Sequence, residues 1–265
     1  MLVVIRGAGD LASGIALRLH RSGMQVVMTE LPRPLAVRRT VAFCEAVRFG
    51  SVTVEGITAR FARDGEQALD ILRRGEIPVL ADPEGACIRE LKPEAVVDAI
   101  LAKRNLGTAI TDAPVVIGVG PGFTAGVDCH AVVETMRGHT LGRAIYDGTA
   151  LPNTNIPGLI GGFAGERVLR APAGGVFRTA LEIGAQVCSG DVAGYVEGIP
   201  MRCTIDGVLR GLIADGTEVR PGMKCGDVDP RGDKSHCCQV SDKALAVGGG
   251  VLEAILNLSG VLKEG

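Results

Sequence analysis

The chain is expected to fold as an α/β protein. A doubly wound sheet over residues 1–150 is followed by a smaller β-rich barrel-sandwich over residues 151–265 that ends in a helix. Three observations predict this. An apolar strand, a glycine turn, an amphipathic helix and a second strand open the chain. Further strand-like runs follow before residue 120. Beyond residue 170 a glycine-rich pattern recurs thirty-two residues later.

Leu2-Val3-Val4-Ile5 is a short apolar run rich in β-branched residues and reads as a buried strand. Arg6 to Gly14 supplies the glycine turn. Leu11, Ile15, Leu17 and Leu19 give a helix with one apolar face, broken at Ser22-Gly23. Gln25–Thr29 is the second strand, and it ends at an acid, Glu30. Strand, glycine turn, helix, strand and acid make the opening unit of a Rossmann-like fold. Gly7 allows the tight turn, Gly9 lets backbone approach a ligand, and Ala12 permits close helix–strand packing. Asp10 is placed as a helix N-cap at the phosphate niche. Glu30 stands at the spacing from which an acid bonds a ribose hydroxyl. Gly7, Gly9, Asp10 and Glu30 are therefore candidate cofactor-binding residues.

Composition bounds the alternatives. With 46% hydrophobic residues the chain can build a large core without staples, and 38 glycines with 3% aromatics favour tight turns and short strands. A net charge of −2 gives no electrostatic case for nucleic acid or an anionic membrane. No apolar run approaches a spanning helix and no leader precedes the first strand, so a cytoplasmic protein is expected. None of the eight cysteines form a CxxC pair, so no zinc ribbon or thioredoxin-type site is expected, no metal ligand is assigned, and most should be buried hydrophobes. Cys237-Cys238 follows a polar loop and is the pair placed for exposure.

Leu35–Phe49 reads as a helix, with Arg33, Arg38 and Arg39 near enough to the acid to meet a 2′-phosphate, which leaves NAD against NADP open. Ser51–Arg63 alternates and reads as one or two strands, Glu66–Arg73 as a helix, and Ile77–Ala81, Ala95–Ile100 and Pro114–Val119 as strands. Ligands in such sheets sit beyond the carboxyl ends of the strands. That rule gathers the opening turn, Glu30, Asp82, Asp98, Lys103, Asn105 and the cluster Gly118-Val119-Gly120-Pro121-Gly122 along one crevice. Gly118, Gly120 and Gly122 are expected to present amides to an anion. Val127–Glu134 reads as a strand placing Asp128, His130, Val132 and Glu134 on one face, as a metal or proton-transfer site or a solvent-facing polar edge. Asp98, Lys103 and His130 are the candidate catalytic groups.

Gly175-Val176-Phe177-Arg178 matches Gly207-Val208-Leu209-Arg210, and Gly184, Val187, Gly190 and Gly194 match Gly216, Val219, Gly222 and Gly226. Two such copies suggest a pseudo-symmetric unit that resembles the biotinyl/lipoyl carrier fold. The hairpin Val196–Cys203 lacks the lysine that carries the cofactor in that fold, so a swinging arm is not expected.

The blocks Gly7–Gly14, Val27–Glu30, Ala36–Thr40, Gly118–Phe123, Arg137–His139, Gly226–Arg231 and Ser241–Ala244 together resemble an accessory protein family of selenium-dependent molybdenum hydroxylases. The N-terminal domain is more distantly similar to xanthine dehydrogenase maturation factors. This resemblance implies a maturation role, handling cofactor or selenium at a nucleotide site. It implies a molybdenum hydroxylase as partner and a nucleotide-like ligand, NAD(P) or a molybdopterin-type nucleotide, with homo-oligomerisation left open. The alternatives are an NAD(P)-dependent oxidoreductase of a small metabolite and a non-catalytic scaffold. The residues themselves leave open whether the protein is an enzyme.

Overall fold

In the computed structural model, which describes residues 1–154 and 156–261, the chain divides into two compact units. The first comprises Met1–Pro34, Phe43–Asn153 and Val240–Gly265; the second comprises Leu35–Ala42 and Thr154–Gln239. The chain thus passes between the units four times, at 34/35, 42/43, 153/154 and 239/240.

The first unit runs β1 (Leu2–Arg6), α1 (Asp10–Arg21), β2 (Gln25–Thr29), α2 (Glu45–Phe49), β3 (Ser51–Val54), β4 (Ile57–Ala62), α3 (Gly65–Arg73) and β5 (Ile77–Leu80). It continues through α4 (Cys87–Leu91), β6 (Ala95–Asp98), β7 (Val115–Val119), β8 (Thr124–Ala125), β9 (Ala131–Val133), β10 (Ala144–Ile145) and β11 (Gly148–Thr149), and closes with α5 (Asp242–Ser259). Nine strands form one mixed sheet in the order β10-β9-β7-β6-β1-β2-β5-β4-β3, and β8 pairs with β11 apart from it. The interior pairs are parallel, and the antiparallel pairs β3–β4 and β9–β10 close the two edges.

The β1, β2, β6 and β7 runs are apolar at nearly every position because both faces of the sheet are covered. On one face Val4, Val27, Val96 and Val116 pack with Ala68, Ile71 and Leu72 of α3 and with Ile88. On the other, α1 lies against α5 at close range. A Cβ on Gly14 would stand 2.6 Å from the Ala244 Cβ, and one on Gly248 would stand 3.0 Å from the Gly14 oxygen. Only small residues allow two helices to approach so closely.

The second unit contains β12 (Val168–Arg170), β13 (Gly175–Thr179), β14 (Gln186–Val187), β15 (Val192–Val196), β16 (Ile199–Arg202), β17 (Gly207–Leu212), β18 (Glu218–Val219) and β19 (Lys224–Asp229). Two antiparallel sheets result, β12-β19-β17-β14 and β16-β15-β13-β18. The sequence repeat appears in the pairing: β13 pairs with β15 and β18, and thirty-two residues on, β17 pairs with β19 and β14. Phe177, Leu209, Val196 and Val228 fill the space they share. The carrier-type hairpin tip is Glu197, whose carboxylate accepts the Val176 amide (2.9 Å).

The expected fold class, a Rossmann-like sheet followed by a biotinyl/lipoyl-like barrel-sandwich, is therefore corrected. The observed architecture is a nine-stranded mixed sheet plus antiparallel sheets. The expected alternation of strand and helix fails after β6, where turns and the short strands β8 to β11 replace crossover helices. The helix expected over Leu35–Phe49 is also broken. Val37 gives its carbonyl to the Leu212 amide (2.8 Å), so this stretch bonds beside β17 instead of to itself.

Candidate functional site

Parallel pairing aligns the ends of the strands, so Arg6 stands level with Thr29 and Asp98, and Asp98 level with Gly118. The carboxyl edge so formed carries the acids Glu30, Asp82, Asp98 and Glu134. Each accepts hydrogen bonds from backbone amides of neighbouring loops. Glu30 takes the Ala8 (3.1 Å) and Leu31 (2.8 Å) amides, Asp82 takes that of Cys87 (2.8 Å), and Asp98 takes that of Ile100 (3.1 Å). Glu134 takes those of Met136 (2.6 Å) and Leu151 (2.8 Å). Buried amides need acceptors, and a carboxylate at a strand end is a strong one.

The first part of the opening turn, Gly7-Ala8, is bonded from within. Gly7 donates to the Thr29 carbonyl (2.9 Å), and the Ala8 carbonyl accepts from the Cys44 amide (2.8 Å) and the Ser13 hydroxyl (3.2 Å). Gly7 adopts φ +100°, and a Cβ there would lie 2.8 Å from the Ala99 oxygen. Its glycine identity follows from the neighbouring chain. Gly9 has open space around it and is itself the N-cap of α1, leaving Asp10 as the first helical residue. Burial pushes the Glu30 carboxyl above its ordinary value, against the pull of the Leu31 and Ala8 amides.

Asp98 sits in a buried polar network. The Thr108 hydroxyl donates to its Oδ2 (2.6 Å) and the Arg6 guanidinium lies 3.5 Å from it. Arg6 also donates to Thr108 Oγ1 and to the carbonyls of Pro83 (3.4 Å) and Leu106 (3.3 Å), so one side chain joins two loops. Asn105 bonds the Thr108 backbone and reaches Asp128, which in turn accepts the Thr124 amide (2.8 Å). His130 lies apart from this network. Its Nδ1 accepts the Val116 amide (3.0 Å), so the neutral ring carries its proton on Nε2. β9 starts only at Ala131, so Asp128 and His130 do not share a strand face with Val132, and Glu134 is buried.

Lys103 is exposed on the loop between β6 and β7. That loop holds two non-glycine residues in the left-handed region, Leu101 (φ +61°) and Lys103 (φ +63°). It crosses the second glycine cluster closely. A Cβ on Gly122 (φ +110°) would stand 2.6 Å from the backbone of Arg104. Gly120 faces Thr135, and Gly118 lies under the Phe123 ring. The loops therefore bring together Lys103, Arg104, Gly120 and Gly122.

Arg38 and Arg39, candidates for a 2′-phosphate or for a solvated helix face, are engaged within the second unit. Arg38 donates to the His236 (2.8 Å) and Gln239 (2.9 Å) carbonyls, and Arg39 to that of Leu212 (2.8 Å). Sequence reasoning missed Arg6 and Thr108. The signal available was a cation closing one buried strand and an acid closing another. Among the described residues no group of three or more His, Cys, Asp or Glu is arranged to hold a metal ion. No helix among them is long and apolar enough to cross a membrane.

These features define a two-unit α/β protein whose parallel strands end in a self-capped, loop-covered edge. No protein-family model matches the chain. The chain is 53% identical over 257 residues to the uncharacterized protein YqeB of Escherichia coli (strain K12), an alignment covering 97% of this chain and 48% of that protein. The chain thus spans about half the length of the curated relative it matches. Solved structures similar to it include an aspartoacylase family protein from Mesorhizobium loti (11% identity, TM-score 0.27, covering 86% of this chain and 84% of that one). Another is a succinylglutamate desuccinylase/aspartoacylase from Rhodobacter sphaeroides (15% identity, TM-score 0.27, covering 86% and 85%).

Nothing in these comparisons points to a molybdenum hydroxylase or its maturation. The resemblance drawn from the sequence blocks is corrected accordingly. With it go the selenium and maturation roles and the Rossmann-type nucleotide site. The opening turn, occupied by Glu30 and its own backbone, gives the physical reason for the last.

Proposed function

We propose that the first unit binds a small anionic metabolite, bearing phosphate or carboxylate, over the carboxyl ends of β6 and β7. Lys103 and Arg104 are the anion-binding side chains, and Asp98 is a positioning residue that holds their loop through Thr108 and Ile100. The observation that supports this reading is the pair of left-handed residues, Leu101 and Lys103, in a loop fixed at both flanks. Left-handed backbone at residues other than glycine is costly and persists where surrounding structure enforces it, commonly at ligand sites. Two exposed cations on such a loop are held in place by the surrounding backbone, which lowers the ordering cost of meeting an anion.

Calorimetric titration of the full chain with inorganic phosphate, and with the cofactor classes expected from the sequence, NAD(P) and a molybdopterin-type nucleotide, tests the reading. Binding by at least one probe, lost in the Lys103→Ala/Arg104→Ala variant, is the expected result. Silence from every probe with a folded sample, or binding that survives the double substitution, overturns it.

A further inference from the structure

The loop between β9 and β10 builds a second feature. His139, Thr140, Leu141, Gly142, Arg143 and Ala144 line a shallow, open cleft of about 510 Å³ together with Glu253 of α5. The loop is firmly seated. Arg137 makes a bidentate ion pair with Asp242 at the start of α5 (2.7 and 2.8 Å). The Gly142 amide donates to the Glu134 carbonyl (2.9 Å), the Glu134 amide to the Arg143 carbonyl (3.0 Å), and the Arg143 amide to the Thr140 carbonyl (3.0 Å). Gly142 sits directly against the helix backbone: a Cβ on Gly250 would fall 1.9 Å from its oxygen. The triple glycine Gly248-Gly249-Gly250 is thus explained at two of its positions by contact.

The cleft is lined by opposite charges that do not meet. Among the described residues, no ion pair or side-chain hydrogen bond engages His139, Arg143 or Glu253. A guanidinium presents a planar fork that suits a carboxylate, and an unpaired carboxylate in the same cleft suits an ammonium. Cleft volumes of this order accommodate small metabolites with water around them. We propose that this cleft binds a small zwitterion of the α-amino acid class. Arg143, with His139 beside it, receives the carboxylate, Glu253 receives the ammonium, and the Thr140 hydroxyl is available to either. The site does not use Lys103 or Arg104, so its fate is independent of the anion-binding reading.

NMR or calorimetric titration of the full chain with glycine and with aspartate tests the assignment, using acetate and methylammonium as single-charge controls. Concentrations run to about 10 mM, where weak affinities are measurable. The amino acids should bind more tightly than either control. Arg143→Ala should weaken amino acids and acetate together by about tenfold or more. Glu253→Gln should weaken amino acids while leaving acetate unchanged or improved. Lys103→Ala should leave all of these values unaltered. No binding of either amino acid, or binding indifferent to both cleft substitutions, overturns the proposal. Because Arg143 and Glu253 are exposed, both variants should fold, and an unchanged unfolding midpoint checks this.

Discussion

Two neighbouring glycines in α5 give a sharp test of how its packing is set. Gly249 has open space where a side chain would begin, whereas a Cβ on Gly250 would lie 1.9 Å from the Gly142 oxygen and 3.0 Å from a Val133 methyl. Both sit inside an 18-residue helix. Replacement by Ala therefore brings the same gain in helix propensity at either site, about 1 kcal/mol. At Gly249 that gain should appear as measured stabilisation. At Gly250 ordinary contact needs more than 3 Å, so the Gly142 loop must retreat by over an ångström. Overpacking of this kind costs about 1–3 kcal/mol, with more to follow if the Gly142–Glu134 hydrogen bond stretches. Because the propensity gain is common to both, the two variants should differ by the packing cost, about 1–3 kcal/mol, with Gly250→Ala the less stable. Urea unfolding followed by circular dichroism reads this difference, and about 2–4 °C of midpoint per kcal/mol is expected in a thermal scan. Equal shifts for both variants would show that the helix and loop do not touch as described.

Three further outcomes follow from the buried charges and thiols. Asp98→Ala leaves the Arg6 guanidinium buried without its carboxylate and should cost about 3–5 kcal/mol, while Arg6→Met with Asp98→Leu recovers much of it; equal losses in the single and double variants would deny the pairing. Burial alone would raise the Asp229 carboxyl, but hydrogen bonds from Arg231 and the charges of Arg210 and Arg231 outweigh it and hold the group well below the usual carboxylate range. Its contribution is then complete above pH of about 4 and is lost as pH falls through the folded value, so the parent's advantage over Asp229→Asn should shrink on acidification; a gap constant across that range would refute it. Iodoacetamide at mildly alkaline pH should label Cys188 and Cys238 first, because the other six thiols are buried and burial pushes Cys87 up to about 12 and Cys129 and Cys203 to about 11. Peptide mass spectrometry decides, and early labelling of Cys129 would be the contrary result.

The positions of many elements were legible in the sequence. The apolar runs opening at Leu2 and Gln25, and those near Ala95 and Val115, are strands because each is buried on both faces, and continuous apolar runs betray that burial. The thirty-two-residue repeat was legible for a different reason: each half supplies equivalent strands to two sheets, so the same residues recur in equivalent pairs. The architecture was not legible. β9 and β10 have three and two residues, too few to show a period, yet they extend the sheet past β7. The placement of α5 with the first unit depends on Gly14, Ala244 and Gly248 meeting across more than two hundred residues, which local pattern cannot show.

The candidate site was misread for a physical reason that Glu30 makes plain. An acid closing the strand after a glycine turn is the pattern of a residue awaiting a ribose hydroxyl, but the turn offers a donor of its own. The Ala8 amide is nearer than any ligand and competes for the same carboxylate oxygen. Asp82, Asp98 and Glu134 repeat the arrangement at three more strand ends. A parallel sheet ends in loops whose amides would otherwise lack partners, and acids at those ends meet the need whether or not a ligand ever arrives. Spacing alone therefore cannot distinguish an acid that recognises from one that closes a loop. Groups left without such employment, such as Arg143 and Glu253, are the better guide to where a ligand would go.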